Sequence, residues 1–391
     1  MKILLAPDKF RGSMTAAEAC QALTEGIRLA DQTIETVSTP LADGGEGILE
    51  ILTEATSGTK RQVTVADPLG RPIEAEFGLS ADGQTAFVEL ASASGLHHLV
   101  PGERDALRAN TFGTGQLLRA ALEAGATRII LGVGGSASTD GGTGMAAALG
   151  YRFLDEHDSE LVPCGKTLSQ IARIDSAAVP FDFSKIKIEV ACDVTAPLYG
   201  PEGAAFVYAP QKGASPEQVV VLDAGLQHLE QKAPDEAPPS WAIVERAGTV
   251  RRAGALPGAG AAGGTGFGAI VFLNATLRPG TDLVMELTRF DEALEGVDLV
   301  ITGEGKLDAQ TLQGKLIGGV CRRAAARGIR VVALCGTLDA DPLALRAMGL
   351  AYVASILTRP MTLDEALHEG PTLLKNAAFF VVNLFKLVDS R

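Results

Sequence analysis

The segment Gly132-Val-Gly-Gly-Ser-Ala-Ser-Thr-Asp-Gly-Gly-Thr-Gly144 sits between an apolar run, Arg128-Ile-Ile-Leu-Gly-Val133, and a helix-forming run, Met145-Ala-Ala-Ala-Leu149. A buried strand that feeds a glycine-rich turn and then a helix restricts the chain to an α/β arrangement. Glycine lets backbone N–H groups approach an anion, and a helix start carries partial positive charge, so such a segment is a natural phosphate cradle. The spacing is neither G-x-x-x-x-G-K-[ST] nor a clean G-x-G-x-x-G. Nucleotide chemistry here is therefore not of the Walker type.

Composition narrows the function classes. The chain has 391 residues, enough for two domains, and its charged fraction of 21% against 46% hydrophobic excludes global disorder. A net charge of −13 argues against a nucleic-acid partner, which needs clustered Lys and Arg. Small anions remain possible ligands, because a few cations and backbone dipoles suffice. Five scattered cysteines (Cys20, Cys164, Cys192, Cys321, Cys335) show no C-x-x-C, so the expectation is free thiols in a reducing compartment. Met1–Asp8 has too short an apolar run for a signal peptide, and no stretch reaches the roughly 18 apolar residues of a membrane span. The expected location is cytoplasmic, with no membrane partner.

The two ends of the chain read alike. Lys2–Ala6 is a short buried strand, Thr15-Ala-Ala-Glu18 is a capping box for a helix to about Leu29, and Thr33–Ser38 is a second strand before a helix at Ile48–Ala55. Near the other end, strands at Asp298–Thr302 and Arg330–Leu334 alternate with helices at Gly318–Ala326 and Pro342–Ala347, and Ala377–Phe385 reads as a buried terminal helix. Between the ends, Arg61–Ala66, Ile73–Leu79 and Thr85–Leu90 form a meander. The expected architecture is a two-domain α/β protein. A Rossmann- or flavodoxin-like parallel-sheet domain comes from residues 1–62 and 288–391, and residues 63–287 form an inserted mixed α/β domain.

Chemistry-bearing residues gather in turns after strands, where open α/β sheets bind ligands. Ala6-Pro-Asp-Lys-Phe-Arg-Gly-Ser13 offers Asp8, Lys9, Arg11 and Ser13. Leu41-Ala-Asp-Gly-Gly-Glu-Gly47 places Asp43 and Glu46 among glycines, either to hold Mg²⁺ or as a plain capped turn. The opening loop contributes Gly134, Gly135, Ser136, Asp140, Gly141 and Gly142. Ala191-Cys-Asp-Val-Thr-Ala196 puts Asp193 and Thr195 at a strand end, as a base for a substrate hydroxyl or as a cap. Ile301–Lys315 carries Glu304, Lys306, Asp308 and Lys315. The glycines of 258–268 serve either ligand approach or close packing. His97 and His98 are adjacent, so their side chains diverge and make a poor catalytic pair.

Taken in order, these segments resemble the class I bacterial glycerate kinase family. The likeness rests on APDKFRGSMTAAEA (6–19), PLADGGEG (40–47), NTFGTGQLLRAAL (110–122), GGSASTDGGTGM (134–145), ACDVTAPLYG (191–200), PQKGA (210–214), GAGAAGGTGFG (258–268) and LVITGEGKLDAQTLQGK (299–315). The resemblance implies ATP-dependent phosphorylation of D-glycerate, normally at the 2-hydroxyl, with Mg²⁺, in a cleft between two α/β domains. This chain has Thr139 and Ala196 where the family usually has Asn.

On that basis the 134–144 loop, with Gly134, Gly135, Ser136, Asp140, Gly141 and Gly142, is expected to meet the ATP phosphates. Lys9 and Asp193 are the expected catalytic pair, with Asp193 the base or the carboxylate that orients the hydroxyl. Asp8, Arg11, Ser13, Thr195 and Lys306 are expected to hold the acid, and Asp43, Glu304 and Asp308 the Mg²⁺. Two other readings stand beside it. One is a non-catalytic hydroxy-acid sensor, raised by Thr139 and Ala196. The other is a nicotinamide-dependent oxidoreductase, weakened because Ala6–Gly12 lacks the glycine fingerprint.

Overall fold

The computed structural model describes residues 1–233, 253–308 and 316–389. Its strands, in chain order, are β1 (Lys2–Leu5), β2 (Glu35–Ser38), β3 (Thr59–Ala66), β4 (Pro72–Leu79), β5 (Thr85–Glu89), β6 (Arg128–Gly132), β7 (Arg152–Leu154), β8 (Arg173–Asp175), β9 (Lys187–Ala191), β10 (Thr276–Arg278), β11 (Leu299–Asp308), β12 (Arg330–Asp339) and β13 (Leu350–Ser355). They fall into two compact units, Met1–Asp43 with Thr281–Arg391, and Gly44–Gly280. The chain ends build the first unit, and the second is inserted.

The first unit holds a sheet ordered β13-β12-β11-β1-β2, in which every pairing is parallel. This is a doubly wound, flavodoxin-like order, and its direction reverses between β1 and β11. The central strands are apolar on both faces, with Ile3–Leu5, Leu299–Ile301 and Val332–Cys335 all at 0% exposure, as helices on both sides require. Thr15 and Glu18 form the expected capping box at the start of the helix Ala16–Ala30. That helix packs against the terminal helix Leu363–Asp389, and a Cβ on Gly26 would stand 2.0 Å from the Lys375 carbonyl. Only glycine permits the two helices to approach so closely. The terminal helix buries one side, with Ala378, Val381, Val382 and Phe385 in the core, while Phe380 on the other is 66% exposed.

The second unit holds a mixed sheet ordered β10-β9-β6-β5-β4-β3. The meander β3-β4-β5 is antiparallel, and β5, β6, β9 and β10 are parallel. Its core includes Phe153, Phe267 and Phe272, and Phe87 is buried as well.

The joints differ from those read off the sequence. Residues 44–62 belong to the inserted unit, because the helix Ile48–Ala55 packs on β4 and β5 and β3 pairs with β4 along its full length. Gly78 admits the side chain of Thr53, whose Oγ1 would lie 1.9 Å from an added Cβ. The second joint lies at residues 280 and 281, since Asp282 and Asp291 both pair with Arg323 of the helix Leu316–Ala325. All five cysteines are unpaired. Among the described residues no helix is long and apolar enough to cross a membrane. The Pro-rich stretch beyond Ala233 and the residue Lys315 lie outside the described residues.

Candidate active site

In the first unit the sheet order reverses between β1 and β11; the chain leaves β1 as a polar turn, while the charged end of β11, Glu304–Asp308, stays paired with β12. Backbone pairing outlasts β1, with the Ala6 and Asp8 amides donating to the Ile301 and Gly303 carbonyls. The segment Phe10–Met14 then folds back on itself through Gly12, whose φ of +78° suits glycine. A cavity of about 450 Å³ opens there, at the carboxyl ends of the strands. Asp8, Lys9, Arg11 and Ser13 line it from the β1 side, and Asp43, Glu304 and Lys306 complete its polar wall. Leu363, Leu367 and Gly370 of the terminal helix supply an apolar side.

The carboxylates crowd one another. Asp8 is only 8% exposed, and its pKa is pushed up to about 7 by burial first and by the negative charge of Asp43 next, with a smaller contribution from Glu304. The Lys9 amide, 2.6 Å from Asp8 Oδ1, opposes that rise, as does the Lys9 charge. Ser13 donates its hydroxyl to the Leu367 carbonyl at 2.6 Å, so its proton is committed to the terminal helix. Asp308 does not line the cavity and instead pairs with Lys306 at 3.1 Å. Among the described residues no group of three or more His, Cys, Asp or Glu has the arrangement of a metal cage. The crowding of Asp8, Asp43 and Glu304 nonetheless fits Mg²⁺, which commonly takes one or two carboxylates plus water and substrate phosphates.

In the second unit the glycine-rich loop follows β6. Its two halves differ. Gly135 is exposed with φ +68°, Gly134 is half-buried and Ser136 is 7% exposed. Glu46 reaches this half, its Oε1 3.2 Å from a Cβ placed on Gly135. The other half is sealed. Asp140 has 0% exposure, and its carboxylate accepts from the Thr111 amide (2.8 Å), the Thr111 hydroxyl (2.7 Å) and the amides of Gly144 (3.1 Å) and Gly142 (3.3 Å). Gly141 donates to the Gly263 carbonyl at 3.0 Å.

The helix Ala261–Leu273 presses on this half through left-handed backbone at Ala262, Gly263 and Gly264. A Cβ on Gly263 would sit 2.1 Å from the Ser138 carbonyl. The glycines of 258–268 therefore serve close packing. Asp140, Gly141 and Gly142, expected to meet phosphate, are buried, with the Asp140 carboxylate and the Gly141 and Gly142 amides bonded within the protein. The exposed part of the loop narrows to Gly134 and Gly135, with Ser136 buried directly beside them.

Asp193 and Thr195 are exposed beyond β9, and Asp193 Oδ1 accepts from the Gly280 amide at 3.0 Å, at the start of the helix Gly280–Leu287. The Ala196 carbonyl accepts from the Gly260 amide. Lys212 is a residue that the sequence reading passed over. It is 2% exposed and lies against the sealed side of the loop. A lysine in a Pro-Gln-Lys-Gly turn carries no local sign of burial, so only its place within PQKGA hinted at a role.

Residues 3–386 match the model of the Glycerate kinase family. The chain belongs to that family. It is 44% identical to a glycerate kinase of Halalkalibacterium halodurans over 96% of each chain. It is 41% identical to the glycerate 2-kinase of Escherichia coli over 94% of this chain and 93% of that one. A crystal structure of a Salmonella typhimurium LT2 protein assigned to glycerate kinase 2 superposes with a TM-score of 0.86 at 38% identity, covering all of both chains. Membership in the glycerate kinase family thus extends over both units, the charged cavity and the glycine loop included.

Proposed function

We propose that this chain transfers the γ-phosphoryl group of ATP to the 2-hydroxyl of D-glycerate, giving 2-phospho-D-glycerate and ADP. The observation that carries the reading is the cavity of the first unit, which sets Lys9, Arg11 and Lys306 around a buried aspartate. Its cations suit a small carboxylate substrate, and Arg11 offers a fork that matches a carboxylate with two parallel hydrogen bonds. Gly134 and Gly135 bring backbone N–H groups, and Ser136 a hydroxyl, to the donor phosphates.

Phosphoryl transfer of this kind depends chiefly on positioning and on neutralising charge. Lys9 faces the transferred group and offsets the charge that builds on its oxygens. Asp8, buried beside it, takes the proton that the substrate hydroxyl loses as its oxygen bonds to phosphorus and the bond to ADP breaks. Asp193 is the alternative base, an exposed carboxylate at a strand end whose Oδ1 already holds the Gly280 amide. Mg²⁺, arriving with the nucleotide and held by Asp43 and Glu304, would neutralise charge on the phosphates.

The test is ADP release from MgATP with D-glycerate, followed by phosphorus NMR of the product. A 2-phosphate product supports the reading and a 3-phosphate product moves the acceptor hydroxyl. Folded protein that is thermally stabilised by glycerate yet releases no ADP favours the sensor reading. Comparing D8N with D193N then assigns the base, since the true base loses kcat far more than substrate affinity.

A further inference from the structure

The Lys212 ammonium is buried in the second unit, and no part of the transfer scheme has used it. Its Nζ donates to Ser136 Oγ at 2.7 Å and to the Ser138 carbonyl at 2.5 Å, bracing the glycine loop from its sealed side. The opposite side of the same stretch is held by the turn at Ser94–Leu96. There Leu96 donates to the Gly135 carbonyl (2.8 Å), Ala137 donates to the Ser94 carbonyl (2.9 Å), and Gly95 bridges to Ser136. The short open stretch is thus clamped on both sides.

A serine hydroxyl has one proton and two lone pairs, whereas an ammonium has donors only. Because Ser136 Oγ accepts from Lys212, the hydroxyl proton of Ser136 has to point elsewhere. Ser136 is the residue next to exposed Gly135, at the mouth of the loop. Donation from a charged group also polarises the hydroxyl and makes it a stronger donor in turn. The ammonium is a poor device for stability alone. Burial pulls its pKa down to about 7, with the charge of Asp140 opposing, and a buried charge of this kind is often replaceable by an apolar side chain.

We propose that Lys212 is a positioning residue for the phosphoryl donor: it fixes Gly134–Ser136 in shape and turns the Ser136 hydroxyl outward as a polarised donor to a nucleotide phosphate. This rests on the reading that Gly134–Ser136 meets those phosphates. It assigns Lys212 no contact with the acid, so the effect falls on the nucleotide side of the reaction.

The experiment is titration calorimetry of MgADP binding to the full chain, with K212M, S136A and the double variant, alongside KM for MgATP and for D-glycerate. Each single variant is expected to weaken MgADP about tenfold and to raise KM for MgATP by a similar factor, with KM for D-glycerate within about twofold. The double variant is expected to match K212M, because the ammonium acts through the hydroxyl. Unchanged MgADP affinity in a folded K212M, or a double variant as weak as the product of the two single effects, overturns the proposal. If K212M does not fold, S136A decides alone, and unchanged affinity there overturns it. Wild-type protein that binds MgADP but leaves D-glycerate untouched sinks the glycerate reading and leaves Lys212 to be judged by calorimetry. No MgADP binding by wild-type protein sinks the phosphate-loop reading and this proposal with it.

Discussion

The cavity after β1 and the loop after β6 begin from the same local design, a buried strand that runs into a glycine-containing polar turn, and they end as opposites. In the cavity, carboxylates crowd one another, and burial with the charges of Asp43 and Glu304 pushes the Asp8 pKa up to about 7. In the loop, Asp140 is wholly buried and accepts four hydrogen bonds from Thr111, Gly142 and Gly144. One aspartate stays in conflict with its surroundings and the other is satisfied by them. Polar groups left in such tension mark sites where a ligand completes the structure, while satisfied ones mark the scaffold.

Breaking the first side of this comparison has the largest expected effect. D8N is expected to lower kcat about 10²–10⁴-fold, measured by coupled ADP release. The same change should stabilise the ligand-free protein at neutral pH. The folded pKa of Asp8 is raised above its ordinary 3.8 to about 7, so its favourable contribution is complete below about pH 4 and is lost as pH rises through 7. Denaturation of wild type and D8N should therefore diverge between pH 4 and 7, in favour of D8N, and a constant gap across that range would count against the crowding. Removing the satisfied aspartate has the opposite signature. D140N turns an amide donor or a weakened acceptor toward Thr111 and Gly144, and it should cost about 2–4 kcal/mol in urea unfolding.

Smaller changes sharpen the contrast within the loop. Gly135 has φ +68° on the exposed half, and G135A should cost only about 1 kcal/mol of stability while weakening MgADP measurably by calorimetry. An unchanged nucleotide affinity would detach that half of the loop from phosphate binding. The smallest effect belongs to Thr139, whose Oγ1 is buried with no hydrogen-bond partner among the described residues. T139V keeps the shape and removes an unmet polar group, so a gain of about 0.5–1 kcal/mol is expected in thermal or urea unfolding. A loss of stability would mean that the hydroxyl has a partner, water included.

Much of this was legible before the fold was known. The capping box at Thr15–Glu18 is a contact between near neighbours, so four residues suffice to announce it. The meander over residues 59–89 and the parallel strands at the chain ends follow from alternation and from continuous apolar runs, which are again local. The joints at 43/44 and 280/281 were not legible, because the helix Ile48–Ala55 takes its side from the sheet it packs on. β13 was not legible because it is an edge strand with much of its length exposed, and its short apolar run Leu350-Ala-Tyr-Val-Ala354 follows closely on a helix. The strand β11 also runs on through Glu304–Asp308, a charge-rich stretch in which Glu304, Lys306, Leu307 and Asp308 pair with β12 where a loop was expected.

The sequence by itself determined the parallel α/β class, the inserted mixed sheet, and a set of glycine and carboxylate motifs whose order identifies the family. Each of these is written in neighbouring residues, through periodicity, capping and the freedom of glycine. Only the tertiary structure decided that Asp8, Asp43 and Glu304 share one cavity, that Asp140 turns inward and Gly135 outward, and that Lys212 stands buried behind Ser136. Those outcomes depend on which side chains meet across hundreds of residues, and on whether a polar group ends up sealed in the core or on the wall of a cavity.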